Sequence, residues 1–215
     1  MILTDYKTIV FDCDGVVLNS NHVKTKAFYE AAAPFGEHAA QALVAYHVRN
    51  GGISRYRKFE YFLEEILDDE SRGVGIEQLL ETYARSVWQG LLTCEVASGI
   101  KVLRQVTAHS NWLIVSGGDQ KELREVFSLR GISHLFDGGI FGSPDNKDYI
   151  LSREMTSGNI KVPGVFIGDS RYDYEAANRA NLDFIFASKW SEAEEINGWL
   201  PVGTPVISGL SDALG

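Results

Sequence analysis

Short, continuously apolar segments punctuate this sequence, and each ends abruptly at small or acidic residues. Residues 8–11 (TIVF) run directly into the polar segment 12–15 (DCDG). The same pattern recurs at residues 112–115 and 165–167, and more weakly at residues 184–187. Because these segments are apolar throughout rather than alternating, they are typical of strands covered on both faces of a parallel sheet. The pattern therefore predicts buried strands with polar carboxyl ends.

Helical spacing appears between the later strands. Leu123, Val126 and Phe127 follow a three-four spacing after Asp119, a favourable residue at a helix N-terminus. A second helix is predicted at residues 174–180. Strand, polar loop and helix in alternation predict an α/β fold with a parallel sheet. Because such sheets bind ligands at the carboxyl ends of their strands, the polar strand ends are expected to meet at one site.

Residues 19–91 break this alternation, since they contain no convincing buried strand. Their pattern instead predicts helices at residues 22–33, 37–48, 54–67 and 76–92. A helical segment of this length, inserted after the first strand, predicts a separate subdomain. We therefore expect an α/β core formed by residues 1–18 and 92–215, and a helical subdomain formed by residues 19–91.

The composition is that of a globular protein with an acidic surface. The 215 residues are 45% hydrophobic and 23% charged, and the formal net charge is −9. Negative charge repels nucleic acids and anionic membranes, so we expect neither as a partner. It also repels phosphorylated metabolites, so an anion-binding site in this chain needs local cations or a metal.

Several features of the chain favour a cytoplasmic location. Residues 1–7 lack the basic region and long apolar run of a signal peptide, and no apolar segment has the length of a membrane span. The two cysteines, Cys13 and Cys94, are too few for a disulfide framework and are expected to be reduced.

Two pairs of aspartates follow predicted strands. Asp12 and Asp14 stand two residues apart, so in an extended chain both carboxylates can face one cavity. Asp169 and Asp173 follow the strand at residues 165–167. Carboxylates gathered at one sheet edge repel one another unless a cation is present, and Mg²⁺ is the hard cation that oxygen ligands favour. Taken singly, either pair is equally typical of turn formers and helix caps.

Two further positions favour phosphate chemistry. Ser116 and Gly117 end an apolar strand, where a hydroxyl and an unhindered N–H group suit a phosphate oxygen, although a generic loop has the same composition. Lys147 opens a helix-like segment and can supply fixed positive charge for phosphoryl transfer. Most single lysines, however, are solvated surface charges.

Taken together and in order, these residues closely resemble the motifs of the haloacid dehalogenase-like hydrolase superfamily. The first motif, D-x-D-x-[TV], is matched by residues 12–16, and the last, an acidic pair often written G-D-x-x-x-D, by residues 168–173. Ser116 and Lys147 match the second and third motifs. The resemblance covers nearly the whole chain, and it implies a Rossmann-like core with a small helical cap at residues 19–91.

The resemblance implies a role for each acidic residue. Asp12 would attack phosphorus to form an aspartyl phosphate, while Asp14 would protonate the leaving oxygen and then activate water. Mg²⁺ would be held by the Asp12 carboxylate, the Asp14 carbonyl and Asp169. Asp173 would orient a water molecule of the metal.

The resemblance also implies how the phosphate and the leaving group are bound. Ser116 and the Gly117 N–H group would hold phosphate oxygens, and Lys147 would pair with the nucleophile and the phosphate. The cap would close over the site. Cap residues expected near the leaving group are Arg49, Asn50, Gly52, Arg55 and Lys58, although cations at helix ends are slightly more often simply solvated.

We therefore predict a Mg²⁺-dependent phosphatase of a small phosphorylated metabolite. The main alternative is a phosphomutase, which needs the same Asp12 and Asp14. Mutase relatives commonly carry a cap histidine where this chain has Lys24, which disfavours that alternative. A non-catalytic phospho-binding module is a second alternative, and the complete set of motifs disfavours it. The sequence departs from the common family pattern at Asn19 and Asp148, where an acidic residue and a proline are frequent.

Overall fold

Six parallel strands form a single sheet in the computed structural model, which describes residues 3–68 and 75–214. The strands are β1 (Thr8–Phe11), β2 (Asn111–Asp119), β3 (Gly139–Ser143), β4 (Gly164–Gly168), β5 (Asp183–Ala187) and β6 (Val206–Ile207). Their order across the sheet is β3-β2-β1-β4-β5-β6, and every neighbouring pair is parallel. The predicted α/β fold is therefore confirmed, with β1 between β2 and β4.

Eight α-helices occur among the described residues. They are α1 (Asn21–Ala32), α2 (Glu37–Arg49), α3 (Arg55–Tyr61), α4 (Ile76–Thr93), α5 (Ile100–Val106), α6 (Gln120–Leu129), α7 (Lys147–Thr156) and α8 (Arg171–Arg179). The first four lie between β1 and β2 in the sequence, and α3 continues into a π-helical turn, Phe62–Ile66. From β2 to β5, helices and strands alternate, as the apolar pattern predicts.

The predicted helices of residues 19–91 agree closely with the observed ones. α1, α2 and α4 begin and end within one residue of their predicted limits. The helix predicted at residues 54–67 is α3 together with the π-helical turn, and Ser54 caps it by accepting a hydrogen bond from the Arg57 N–H group at 3.4 Å. Residues 69–74 of the predicted subdomain lie outside the described residues. The division of the chain into core and subdomain stays a prediction.

The carboxyl end of β2 differs from the prediction. Ser116 and Gly117 were expected to end the strand, but β2 continues through them to Asp119. The extension pairs with β3 after a register shift between Val115 and Asp119. β3 itself was not predicted, because its sequence (GIFGS) carries two glycines and lacks a continuous apolar run.

The start of α8 was also placed wrongly. The helix begins at Arg171, three residues before the predicted limit at Tyr174. Ser170 is its N-cap, and Ser170 and Asp173 form a reciprocal capping box. Asp173 therefore lies inside the first turn of the helix rather than before it.

A continuous apolar cluster joins the helices of residues 19–91 to the sheet. The ring of Phe28 in α1 lies 4.5 Å from that of Tyr83 in α4 and 5.2 Å from that of Phe59 in α3, measured between centroids. On the sheet, the ring centroids of Phe11 and Trp112 are 4.6 Å apart. This packing holds the four helices α1, α2, α3 and α4 near the carboxyl ends of the strands. None of the described helices is both long and apolar enough to cross a membrane.

Candidate active site

The carboxyl ends of β1 and β4 approach each other closely. The Asp12 N–H group, directly after β1, donates to the Ile167 carbonyl of β4 at 2.9 Å. The chain then turns at Gly15, whose φ of +74° favours glycine. A Cβ atom at Gly15 would lie 2.0 Å from Asp169 Oδ2, so no larger residue fits there. The expected meeting of polar strand ends is therefore observed.

Three carboxylates gather at this point. Asp12, Asp169 and Asp173 each offer an oxygen, and these oxygens all lie within 4.8 Å of one another. The three residues are 3%, 6% and 0% exposed, so water screens their charges poorly. Asp173 Oδ2 accepts hydrogen bonds from the N–H groups of Asp169 at 3.2 Å and Ser170 at 3.1 Å. The Asp14 carboxylate lies outside this group.

Lys147, the first residue of α7, brings a positive charge to the cluster. Its Nζ atom lies 3.0 Å from Asp12 Oδ1 and also donates to Asp173 Oδ1. Burial opposes the charged ammonium, but the two carboxylates outweigh burial and hold the pKa of Lys147 well above its usual value. Lys147 is therefore a fixed cation beside Asp12.

One lysine does not balance three buried carboxylates. Burial raises the pKa of Asp12 to about 7; Lys147 opposes this rise, and Asp173 and Asp14 add to it. Burial and the neighbouring Asp12 and Asp173 carboxylates also raise the pKa of Asp169 well above its usual value. Asp12 Oδ1 accepts no hydrogen bond of good geometry from any described residue. An unsatisfied carboxylate oxygen among crowded carboxylates is the donor set that a hard divalent cation fits.

Asp14 has a different environment from Asp12. Its Oδ1 accepts a hydrogen bond from Ser20 Oγ at 2.6 Å, and its Oδ2 lies 2.5 Å from Lys24 Nζ. Burial would raise the pKa of Asp14, but Lys24 and Ser20 outweigh burial and lower it. Asp14 is therefore held as a carboxylate. The sequence marks Lys24 only as a departure from mutase relatives, and it gives no signal of the ion pair.

Asn21 is a site residue that sequence reasoning missed. Its Nδ2 group donates to Asp169 Oδ2 at 2.7 Å and to the Trp190 carbonyl at 2.8 Å. The first residue of α1 thus orients a carboxylate that lies 148 residues away in the sequence. No local pattern indicates such a contact, because it depends on how the start of α1 lies against the loop that follows β4.

The second motif lies against the turn that follows α2. Ser116 is fully buried, and its Oγ atom accepts a hydrogen bond from the Gly118 N–H group at 3.0 Å. A Cβ atom at Gly117 would lie only 2.2 Å from the Gly52 carbonyl oxygen. Gly52 therefore reaches the carboxyl end of β2, as expected from the resemblance.

The cations expected near the leaving group have different surroundings. Arg55 is 6% exposed, and its guanidinium donates to both carboxylate oxygens of Glu122 and lies 4.5 Å from the Tyr83 ring centroid. It therefore ties α3 to α6. Lys58 is 2% exposed and lies 2.6 Å from His47 Nδ1. Arg49, in contrast, is exposed.

A cavity of about 650 Å³ lies between the strand ends and the helices. Its lining includes all five residues that were expected near the leaving group: Arg49, Asn50, Gly52, Arg55 and Lys58. Asp12, Asp14, Gly117 and Asp169 line it as well. Ser116, Lys147 and Asp173 are not among the lining residues. Arg55 lies in the cavity wall, but its guanidinium is already paired with Glu122.

Comparison with known proteins identifies a family. The family model described as haloacid dehalogenase-like hydrolase matches residues 6–181, which is most of the chain. No sequence match was found among curated proteins.

Solved structures of the same fold cover the whole chain at low sequence identity. A predicted phosphoglycolate phosphatase from Haemophilus somnus 129PT has a TM-score of 0.75 at 16% identity, covering 99% of this chain and 98% of its own. A predicted phosphatase from Clostridium acetobutylicum has a TM-score of 0.73 at 19% identity, covering 96% and 95%. A β-phosphoglucomutase from Clostridium difficile has a TM-score of 0.69 at 18% identity, covering 99% and 93%.

Proposed function

The chain belongs to the haloacid dehalogenase-like hydrolase family, and on that basis we propose that it is a phosphatase of small phosphorylated metabolites. The observation that carries this proposal is the environment of Asp12. Its carboxylate lies in the wall of the cavity, and the Lys147 ammonium lies 3.0 Å from its Oδ1 atom. A carboxylate held this way beside Lys147 is suited to attack phosphorus.

In the first step, an Asp12 oxygen forms a bond to phosphorus and the bond from phosphorus to the leaving oxygen breaks. The leaving oxygen takes a proton from Asp14. In the second step, Asp14 takes a proton from water, whose oxygen attacks phosphorus. The bond from Asp12 to phosphorus breaks, and inorganic phosphate is released.

The charged state of Asp14 supports its proposed role in the second step. Both of its oxygens are engaged, one by Ser20 and the other by Lys24, and the group is a carboxylate. It can therefore accept a proton from water. The first step requires that Asp14 carry a proton and exchange one of these contacts for the leaving oxygen.

We propose Mg²⁺ as the cofactor. The carboxylates of Asp12 and Asp169 and the backbone carbonyl of Asp14 would hold the ion. Both oxygens of Asp173 are already engaged, by Lys147 and by backbone N–H groups, so Asp173 would position the site rather than bind the metal directly. When bound, Mg²⁺ would neutralise charge on the phosphoryl oxygens.

The remaining motif residues and the helices complete the proposal. Ser116 and Gly117 would receive phosphate oxygens, and Lys147 would pair with Asp12 and the phosphate. Residues 19–91 would act as a cap on the core formed by residues 1–18 and 92–215. The close approach of Gly52 to Gly117 supports this arrangement, because it brings the turn after α2 against the end of β2.

The experiment is a phosphate-release assay over a panel of phosphorylated metabolites. We expect release that requires Mg²⁺, stops in excess chelator and needs no added sugar bisphosphate. Asp12→Asn should lower kcat/KM by about 10³-fold or more, because an amide cannot form the acyl phosphate. Asp5→Asn is the matched control, since Asp5 is exposed and lies outside the cavity.

Two results would contradict the proposal. Clear turnover by a folded Asp12→Asn protein would show that another group is the nucleophile. Phosphoryl transfer that depends on a sugar bisphosphate would instead identify a phosphomutase.

A further inference from the structure

One buried cation in the cavity wall lacks a carboxylate partner. Among the described residues, four lysine and arginine side chains are less than a tenth exposed: Lys24, Arg55, Lys58 and Lys147. Three of them form ion pairs with carboxylates. Lys58 is 2% exposed and has no described carboxylate within ion-pair distance. Burying a cation without a counter-ion is costly, so its place in a substrate cavity suggests a function.

A chain of hydrogen bonds fixes the orientation of Lys58. Thr25 Oγ1 donates its only proton to Glu192 Oε2 at 2.9 Å, so its contact with His47 Nε2 at 3.2 Å requires Nε2 to be the donor. Burial, followed by repulsion from Lys58, lowers the pKa of His47 well below its usual value, which keeps the ring neutral. His47 Nδ1 is therefore an acceptor, and Lys58 Nζ donates to it at 2.6 Å.

Lys58 keeps a free donor after these contacts. An ammonium group has three donors. One is used by His47 Nδ1, and a second is directed at the His47 carbonyl at 3.4 Å. The Phe28 ring, 5.4 Å from Nζ, offers a cation–π contact but no acceptor atom. The third donor has no described acceptor, and Lys58 lines the same cavity as Asp12 and Asp14.

We infer that Lys58 binds a carboxylate on the leaving group, so that the preferred substrate is a small phosphomonoester carrying one carboxylate. This inference rests on the proposed phosphatase function. A single buried ammonium group without a carboxylate partner matches one negative charge. Glu192, Glu194 and Glu195 also line the cavity and would repel a second phosphate, which carries more charge.

The test compares two substrates that differ in this one group. 3-Phosphoglycerate carries a carboxylate where glycerol 3-phosphate carries a hydroxymethyl group. We expect kcat/KM of the wild-type protein to favour 3-phosphoglycerate by at least about tenfold. Lys58→Met keeps the length of the side chain and removes its charge, and it should bring the ratio close to one. Lys26→Met is the control, because Lys26 is an exposed α1 residue paired with Glu30, and it should leave the ratio unchanged.

The other outcomes overturn the inference. If the wild-type protein shows a ratio of kcat/KM values near one for the two substrates, the inference fails, even if Lys58→Met does not fold. The inference also fails if Lys58→Met leaves this ratio unchanged. A stronger preference for fructose 1,6-bisphosphate over fructose 6-phosphate would show that the site selects a second phosphate instead. If p-nitrophenyl phosphate and every other monoester release no phosphate, the proposed function itself fails. If these monoesters are hydrolysed without a preference for a carboxylate, the proposed function stands and only the role of Lys58 in binding a carboxylate is refuted.

Discussion

The buried lysines of the cavity differ in what they contact, and the contacts decide their chemistry. Carboxylates hold the pKa of Lys147 and Lys24 above the usual lysine value, so both stay charged. Lys58 has no such partner. Burial, together with the nearby charge of Lys24, lowers the pKa of Lys58 to about 7. A group with this pKa gains charge readily when an anion arrives beside it.

This difference predicts a dependence of stability on pH. The groups that act on Lys58 are Lys24 and Lys147, which repel its charge, and Asp14 and Glu192, which attract it. The folded pKa lies below the ordinary lysine value of 10.5, so between about pH 7 and pH 10 the unfolded chain binds more protons at Lys58 than the folded one. The unfolding free energy contributed by Lys58 therefore rises with pH in this range.

The prediction is measured as a difference between two proteins. Denaturant unfolding of the wild type and of Lys58→Met is followed from pH 7 to pH 9 without ligand. The unfolding free energy of the wild type, relative to the variant, should increase by about 1 kcal/mol per pH unit. A difference that stays constant over this range would mean that Lys58 is charged in the folded protein.

Among individual residues, the sequence predicts only part of the site. Asp12 and Asp169 were predictable because they follow strands directly, and Lys147 because it opens a helix. Lys24 and Asn21 were not, since they reach Asp14 and Asp169 only where α1 lies against the loops that follow β1 and β4. The link of His47 to Lys58 was not predictable either, since it depends on the contact of α2 with α3.

Among the elements, the turn between α2 and α3 and the end of β2 depend on each other. Gly117 has no side chain, and this absence allows the Gly52 carbonyl to lie against it. The Tyr56 hydroxyl strengthens the contact by donating to Asp119 Oδ2 at 2.8 Å, and Arg55 pairs with Glu122 of α6. The position of the turn therefore determines how closely the helices approach the second motif.

Gly117→Ala tests this dependence. The new Cβ atom would lie 2.2 Å from the Gly52 oxygen, so the turn must move. We expect a loss of about 1–3 kcal/mol in unfolding free energy and a fall in kcat/KM. Gly209→Ala is the control, because a Cβ atom there meets nothing within 4 Å. Wild-type stability and activity in Gly117→Ala would contradict the close contact.

Elements were predictable where one periodicity dominates. The continuously apolar β1 matched its prediction, and α1, α2 and α4 followed the helical pattern. β2 was predicted too short because glycine and serine resemble a loop in sequence, whereas the strand runs through them to Asp119, which pairs with Ser143 of β3. β6, with two residues, is too short to leave a periodic signal.

The whole molecule combines an acidic surface with a cavity that concentrates positive charge deep inside. The chain has a net charge of −9, yet Lys24, Lys58 and Lys147 are buried at or beside one cavity. This arrangement follows from the fold, since α1 and α3 contribute Lys24 and Lys58, and α7 contributes Lys147 beside Asp12. An anionic substrate would be bound by local charge rather than attracted by the protein as a whole.

The central claim is that Asp12 carries the phosphoryl group during turnover. The most direct measurement is a rapid-quench reaction with substrate and Mg²⁺, followed by borohydride reduction and peptide mass spectrometry. An acyl phosphate at Asp12 would be reduced to homoserine at position 12, and we expect this product in the wild type during turnover and not without substrate. Turnover with no modification at Asp12, or with the modification on another carboxylate, would contradict the account.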